Sequence, residues 1–371
     1  MLDSPNPPLA LPENLTRFKA RLVGSLPSAT IVHHVSDEHE VYVTEGRTIV
    51  VWKDEARRVV GKFPWVNPRD WFGFSRLSQR AARADRCNIF VTSAGKILGI
   101  RGETVYRVEE NRVIPLWQIQ GDSVLHRGIC EHEGQVYFGE YFRNSARGPV
   151  RLWRVDPALK IWEVAHEFPA GQYRHIHLVS SDPYEPHALW VAVGDDDGEC
   201  FLLRSTDGFR THERIGAGTQ LWRAVSLFFT PTHICWITDS NLQQNYACRM
   251  DRQSQQLEQG QAIPAPGWYG CTTTEGLHIA FTTVETGPGV QTDRASIYVS
   301  RDAFHWQPVW DFVKDRYRPV KLFKYGVINC PSGKNSAARL YLSGEGLVGL
   351  DGTTVQIAIE GQGAIQQLEA G

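Results

Sequence analysis

The feature that most limits what this chain can become is a recurrence, a short apolar or aromatic run that ends in an acid. It appears at Tyr42-Val-Thr-Glu45, Tyr137-Phe-Gly-Glu140, Val191-Ala-Val-Gly-Asp195, Trp236-Ile-Thr-Asp239, Phe281-Thr-Thr-Val-Glu285 and Tyr341-Leu-Ser-Gly-Glu345. Ser93, after Phe90-Val-Thr, fills the missing second place. Successive members stand about 50 residues apart, the length of one supersecondary unit rather than of a domain. A second series, Asp54, Glu109, Asp156, Asp207, Asp251, Asp302 and Asp351, keeps a similar period and marks a later turn in each unit. Each series has seven places.

Between these marks the runs are short, rich in β-branched and aromatic residues, and separated by Gly, Asp, Asn and Pro, so they read as strands. A unit of about 50 residues holding four such strands has the size of a propeller blade. The sequence therefore predicts an all-β chain, a seven-bladed β-propeller of four-stranded blades. One short helix insertion is expected near residues 69–85, with Asp70 at its start and Ala81, Ala82 and Ala84 inside it. The expected layout is an N-terminal extension over 1–27 and a single propeller domain over 28–371. The extension, rich in Pro and Leu, either supplies the strand that closes the ring or covers a face.

Composition narrows the function classes. With 371 residues and 42% hydrophobic content the chain has material for a large core. Its 39 basic and 41 acidic residues argue against a nucleic-acid binder that works by bulk phosphate neutralisation. The longest apolar runs are strand-sized, and the first residues lack the basic start and apolar stretch of a secretory signal. Cys87, Cys130, Cys200, Cys235, Cys248, Cys271 and Cys330 are odd in number and widely spaced, with no C-x-x-C pair. That suits reduced thiols better than a disulfide framework or zinc finger. The expectation is a cytoplasmic protein with neither nucleic acid nor membrane as partner.

Two members of the second series carry more than spacing. Ser205-Thr-Asp207-Gly-Phe-Arg-Thr-His212 and Ser300-Arg-Asp302-Ala-Phe-His-Trp306 resemble the Asp-box, the S-x-D-x-G-x-x-W turn of the BNR-repeat, sialidase-like propeller families. Phe209 and Phe304 stand where glycine is usual, His212 replaces the Trp, and Trp306 comes one place early. Asp156 followed by Trp162 is a weaker third copy. In those families the box stabilises a blade turn, so the resemblance implies the fold and says little about chemistry.

In a blade the end of the second strand lies beside the start of the first. For the fourth unit the strands read as Tyr173–Ser180, Leu189–Asp195, Cys200–Ser205 and Thr211–Gly216. The strand-end acids Glu140, Asp195, Asp239, Glu285 and Glu345 should therefore share a face with His126, Arg127, Arg174, His175, His177, Trp222, Arg223, Trp268, Tyr269, Tyr317 and Arg318. Cations, carboxylates, histidines and aromatics ringing one funnel is a common lining for a carbohydrate site.

His175 and His177 break the repetition, because a spacing of two puts both rings on one side of a strand. They read as a base and its partner, as two ligands of a divalent metal completed by Glu140 or Asp239, or as core histidines bonded to carbonyls. Tyr141 beside Glu140 reads as an acid, as the Glu-activated nucleophile of sialidase-like enzymes, or as loop packing. The run Asp195-Asp196-Asp197-Gly-Glu199 reads as a cation loop or a solvated hairpin.

The sequence favours a carbohydrate-active enzyme, a hydrolase or lyase, processing an acidic glycan in the funnel. His175, His177, Glu140, Tyr141, Asp239 and Glu285 are its candidate catalytic residues. Arg127, Arg174, Trp222, Arg223, Tyr269 and Arg318 are candidate substrate contacts, with the arginines neutralising a substrate carboxylate. The alternative is a non-catalytic propeller that binds a glycan or protein. No Walker loop, G-x-S-x-G, G-x-G-x-x-G or H-E-x-x-H occurs in the sequence.

Overall fold

The computed structural model describes residues 17–362, apart from 38, 55, 67–69, 72–77, 80–83, 85, 110, 122–124 and 318–324. Seven antiparallel sheets follow one another around a ring, forming a seven-bladed β-propeller. Blade three shows the pattern. Its strands Ile129–His132, Gln135–Gly139, Val150–Val155 and Trp162–Phe168 run from the axis outward, each paired with the next. Second strands are the most deeply buried. Leu189–Val193 of blade four is buried at every position, as expected where both sheet faces meet neighbouring blades. Fourth strands such as Arg112–Gln118 are largely exposed. The apolar layers between blades make up the core, for example Leu178, Trp190 and Leu202 against Phe229, Trp236 and Met250.

The ring closes through both ends of the described chain. Blade seven takes Val327–Asn329, Leu340–Glu345 and Thr354–Gln362 from the C-terminal part, and Arg17–Leu26 as its outermost strand. The register runs from Arg17↔Gln362 to Leu26↔Thr354. Residues 17–26 thus supply the closing strand.

Both repeat series need one correction. Ser93 lies in the turn between the first and second strands of blade two, whose second strand is Ile97–Arg101. The strand-end place is therefore held by Arg101, a buried cation paired with Asp70. Asp351 lies between the second and third strands of blade seven. In that blade the third and fourth strands come from opposite ends of the chain, so no turn joins them. The expected helix over 69–85 falls for the most part outside the described residues.

The Asp-box-like turns behave as polar clasps. Ser205 Oγ accepts from the Asp207 and Phe209 N–H groups, and Asp207 accepts from Thr211 N. Asp302 accepts from Phe304 N and His305 N, with Trp306 buried nearby. They lie at third-to-fourth strand turns, opposite the face where the second strands end.

Blades four and five are stapled by a buried ion pair. Asp182 accepts from Arg252 Nη1 at 2.6 Å and Nη2 at 3.0 Å, and from Trp190 Nε1 at 3.1 Å. Replacing Asp182 by Ala leaves the guanidinium and the indole N–H without their acceptor, at an expected cost of about 3–5 kcal/mol. Chemical denaturation should show this as a lower midpoint with an unchanged slope; a midpoint equal to wild type would refute the staple.

Candidate functional site

Each second strand ends on the face where inner strands begin, so their end residues meet at the mouth of the central channel. Arg174 and His175 directly precede Ile176–Ser181, and Arg223 follows the short turn Gln220–Trp222. Trp268 and Tyr269 lie within Gly267–Thr272. Asp195 follows Gly194, whose φ of 92° and close approach to the Glu199 carbonyl leave no room for a Cβ. That bend turns Asp195 toward the channel-side residues of its own and the next blade.

Asp195 is the hub. Arg174 Nη1 donates to its Oδ2 at 2.8 Å, and Arg223 Nη2 lies 3.0 Å from its Oδ1. His177 Nε2 is 3.1 Å from Oδ1 and His175 Nε2 is 3.4 Å from Oδ2. Burial alone would raise this carboxyl, but hydrogen bonds from His175 and His177 together with Arg223 hold it far below the usual carboxylate range.

His175 Nδ1 donates to the Phe142 carbonyl at 3.0 Å. His177 Nε2 sits 2.7 Å from His175 Nε2, and the buried His177 Nδ1 has no hydrogen-bond partner among the described residues. Burial holds His177 down at about 4, so it is neutral near pH 7. The three potential ligand atoms do cluster. However, two guanidiniums already share Asp195, and the 2.7 Å contact between ring nitrogens is a hydrogen bond. The residues do not fit a divalent cation.

Two further carboxyls, Asp239 and Glu285, lie beside the hub. Arg223 Nε is 3.2 Å from Asp239 Oδ2, and the Asp239 N–H donates to the Arg223 carbonyl at 2.9 Å. Burial pushes Asp239 up to about 7, against the pull of Arg223. Burial also pushes Glu285 up to about 8, with the charge of Asp239 adding to the rise. Asp239 Oδ1, Glu285 Oε1 and Trp268 Nε1 are buried with no geometrically formed hydrogen bond among the described residues. The Trp268 indole nonetheless lies close enough to both carboxyls to favour their ionised forms.

Beside these groups, Tyr141, Trp268, Tyr269, Tyr325, His126 and Glu345 are among the residues lining a cavity of about 90 Å³. The Tyr141 ring lies 4.2 Å from that of His175, and burial followed by the charge of Asp195 raises its hydroxyl well above the ordinary phenol range. Tyr269 stands edge-on to His126 at 5.5 Å.

No protein-family model matches the sequence, and no curated protein matches it. Among solved structures, the chain is similar to the WD40 repeats of RRP9 at 11% identity, with a TM-score of 0.54 over 92% of this chain and 98% of that one. It is similar to U3-55K at 12% identity, with a TM-score of 0.53 and the same coverage of 92% and 98%. A GH74 xyloglucanase from Xanthomonas campestris matches at 15% identity with a TM-score of 0.50, over 80% of this chain and 47% of that one. At these identities the likeness is one of fold. Among the described residues no helix is long and apolar enough to cross a membrane.

The structure brings together His175, His177, Arg174, Arg223, Asp239, Glu285 and Tyr141 from the expected set, with Tyr269 on the cavity wall. Others are placed elsewhere. Glu140 spends both oxygens on Gln120 N, Arg151 N and Trp153 Nε1, as a brace between chain segments. Trp222 packs in the core against Trp236, with Gly216 beneath its ring. Arg127 reaches Cys330 instead of a carboxylate. Asp196 and Glu199 of the acidic loop are taken up by Arg147. Arg318 lies outside the described residues, and the inner strand of blade seven begins at Val327 rather than near Tyr317, which is 84% exposed. That shift brings Tyr325 to the cavity, a residue whose place depends on the length of the connector after Val313.

Asp239 and Glu285 bind protons in the folded state that they release when unfolded, between the ordinary carboxylate range and about pH 8. Their contribution to stability therefore falls as pH rises through that window. Glu285→Gln should melt with a flatter pH dependence than wild type and hold more of its melting temperature at alkaline pH. Parallel curves for the two proteins would show that Glu285 titrates normally.

Proposed function

We propose that this protein is a carbohydrate-active propeller that binds a glycan at the channel mouth and hydrolyses its glycosidic bond with the Asp239–Glu285 pair. The observation that carries this is a pair of buried carboxyls beside the Trp268 indole, with Asp239 Oδ1 and Glu285 Oε1 left without a hydrogen-bond partner among the described residues. Leaving such atoms unpaired costs about 1–3 kcal/mol each, a penalty a matching ligand relieves. Sugar hydroxyls suit a mixed set of donors and acceptors because each can donate and accept. The aromatic faces of Tyr141, Trp268 and Tyr325 beside them suit the apolar C–H faces of a pyranose.

In the proposed reaction, Glu285 is protonated near neutral pH and gives that proton to the leaving glycosidic oxygen as the bond to the anomeric carbon breaks. Asp239, held beside Arg223, takes a proton from the water that attacks the anomeric carbon. His175 and His177 do not move a proton in this scheme; they hold Asp195, which holds Arg223. Arg174 and Arg223 are already paired with carboxylates, so a neutral glycan suits the site better than an acidic one.

The test is mass spectrometry of the protein with a panel of neutral and uronate-containing oligosaccharides, run beside Glu285→Gln. Fragments summing to the parent plus one water, formed about 100-fold more slowly by the variant, are expected. Fragments summing to the parent alone would replace hydrolysis by elimination. Saturable binding of a sugar without turnover would leave a non-catalytic glycan platform, and neither binding nor turnover across the panel would overturn the glycan assignment.

A further inference from the structure

A different chemistry lies deeper in the channel. Arg127, on the turn before the inner strand of blade three, crosses the axis to blade seven. Its Nη2 donates to Cys330 Sγ at 3.0 Å and to the Pro331 carbonyl at 3.4 Å. Cys330, Cys271 and Tyr269 act on this guanidinium, and its Nε has no hydrogen-bond partner among the described residues. A guanidinium does not give up its proton, so in this half-buried place it favours an anionic partner. The sulfur at 3.0 Å is the group placed to be that anion.

Cys271 supplies the second half. It lies on the inner strand Gly267–Thr272 of blade six and is buried in the same apolar cluster as Cys330, which directly follows Val327–Asn329 of blade seven. Burial opposes ionisation of Cys330, but the Cys271 hydrogen bond and the charge of Arg127 bring it down to about 6. The same hydrogen bond, with burial, pushes Cys271 well above the usual thiol range. Cys130, Cys200, Cys235 and Cys248 are instead pushed up to about 12 by burial. The two sulfurs therefore differ, Cys330 drawn toward the thiolate and Cys271 toward the thiol. His126 and Asn329, the chain neighbours of Arg127 and Cys330, line the cavity that opens toward the mouth.

We propose that Cys330 is the reactive thiolate of a hydroperoxide-sensitive dithiol, held ionised by Arg127 and resolved by Cys271 into a disulfide joining the inner strands of blades six and seven. The thiolate attacks one peroxide oxygen; an S–O bond forms, the O–O bond breaks, and hydroxide leaves to be protonated to water. Cys271 sulfur then attacks the sulfenic sulfur. The S–S bond forms, the S–O bond breaks, and the departing oxygen leaves as water with the Cys271 proton. Two thiols are oxidised and one peroxide is reduced to two waters. This site stands independently of the glycan assignment.

Two measurements on the full chain test it. The first is the rate of Cys330 alkylation by iodoacetamide against pH in the unmodified protein, read by peptide mass mapping. A midpoint near pH 6 is expected, with Arg127→Gln moving it upward and slowing reaction near pH 7 about tenfold. The second is graded hydrogen peroxide followed by intact-mass and peptide mapping. A cross-linked Cys271–Cys330 peptide is expected, with Cys271→Ser stopping at a Cys330 sulfenic acid that a dione probe captures. An ordinary thiol midpoint, a Cys330 inert to alkylation in the folded protein, or two free thiols after peroxide would each overturn the proposal.

Discussion

The antiparallel ladder between Arg17–Leu26 and Thr354–Gln362 holds the ring shut, and the rest of the molecule depends on it. Every blade buries both sheet faces against neighbours, so an open seam would expose two apolar faces at once. The ladder completes the sheet that fills the seam, placing Phe18, Ile357 and Ile359 in one apolar cluster with Phe281 and Ile297 of blade six. Smaller ties reinforce it. The Phe18 N–H donates to Gln307 Oε1, and Ser332–Gly333 adds a short parallel pairing to His34–Val35 of blade one. These contacts join residues some 300 positions apart, so their loop-closure entropy is met only once most other blades exist.

Closure has an electrostatic consequence. Strand ends from different blades are forced to one mouth, and several of them carry acids. The protein offsets this with guanidiniums, Arg174 and Arg223 on Asp195 and Arg223 again on Asp239. Two arginines cannot neutralise Asp195, Asp239 and Glu285 together in a poorly solvated place, so the surplus is met by proton uptake. Raised carboxyls at the mouth are thus a product of the ring geometry and of the number of cations supplied to it.

Much of this was legible in the sequence because the repeat ties position to face. Asp239, Glu285, Arg223 and Tyr141 fall where the period places them, and the period follows from strand-sized runs and turn residues. The misplacements share a cause, which is information held by residues distant in the chain. Glu140 matches the other acids in spacing, yet it is a brace because the Gln120 N–H and Trp153 indole arrive beside it. Trp222 looks like a funnel aromatic, but the short turn Gln220–Trp222 directs it into the core. Tyr325 was hidden by a long connector, and Ser93 marked a turn one strand too early. The approach of Arg127 to Cys330 links blades three and seven across the axis, and no local pattern encodes it.

That crossing also ties distant blades together at the axis. Arg127 from blade three reaches Cys330 of blade seven, while His126 beside it meets His33 of blade one and Tyr269 of blade six. Side chains from blades one, three, six and seven therefore meet around one axis. Each comes from a different part of the chain, so this cluster assembles only when the ring has closed.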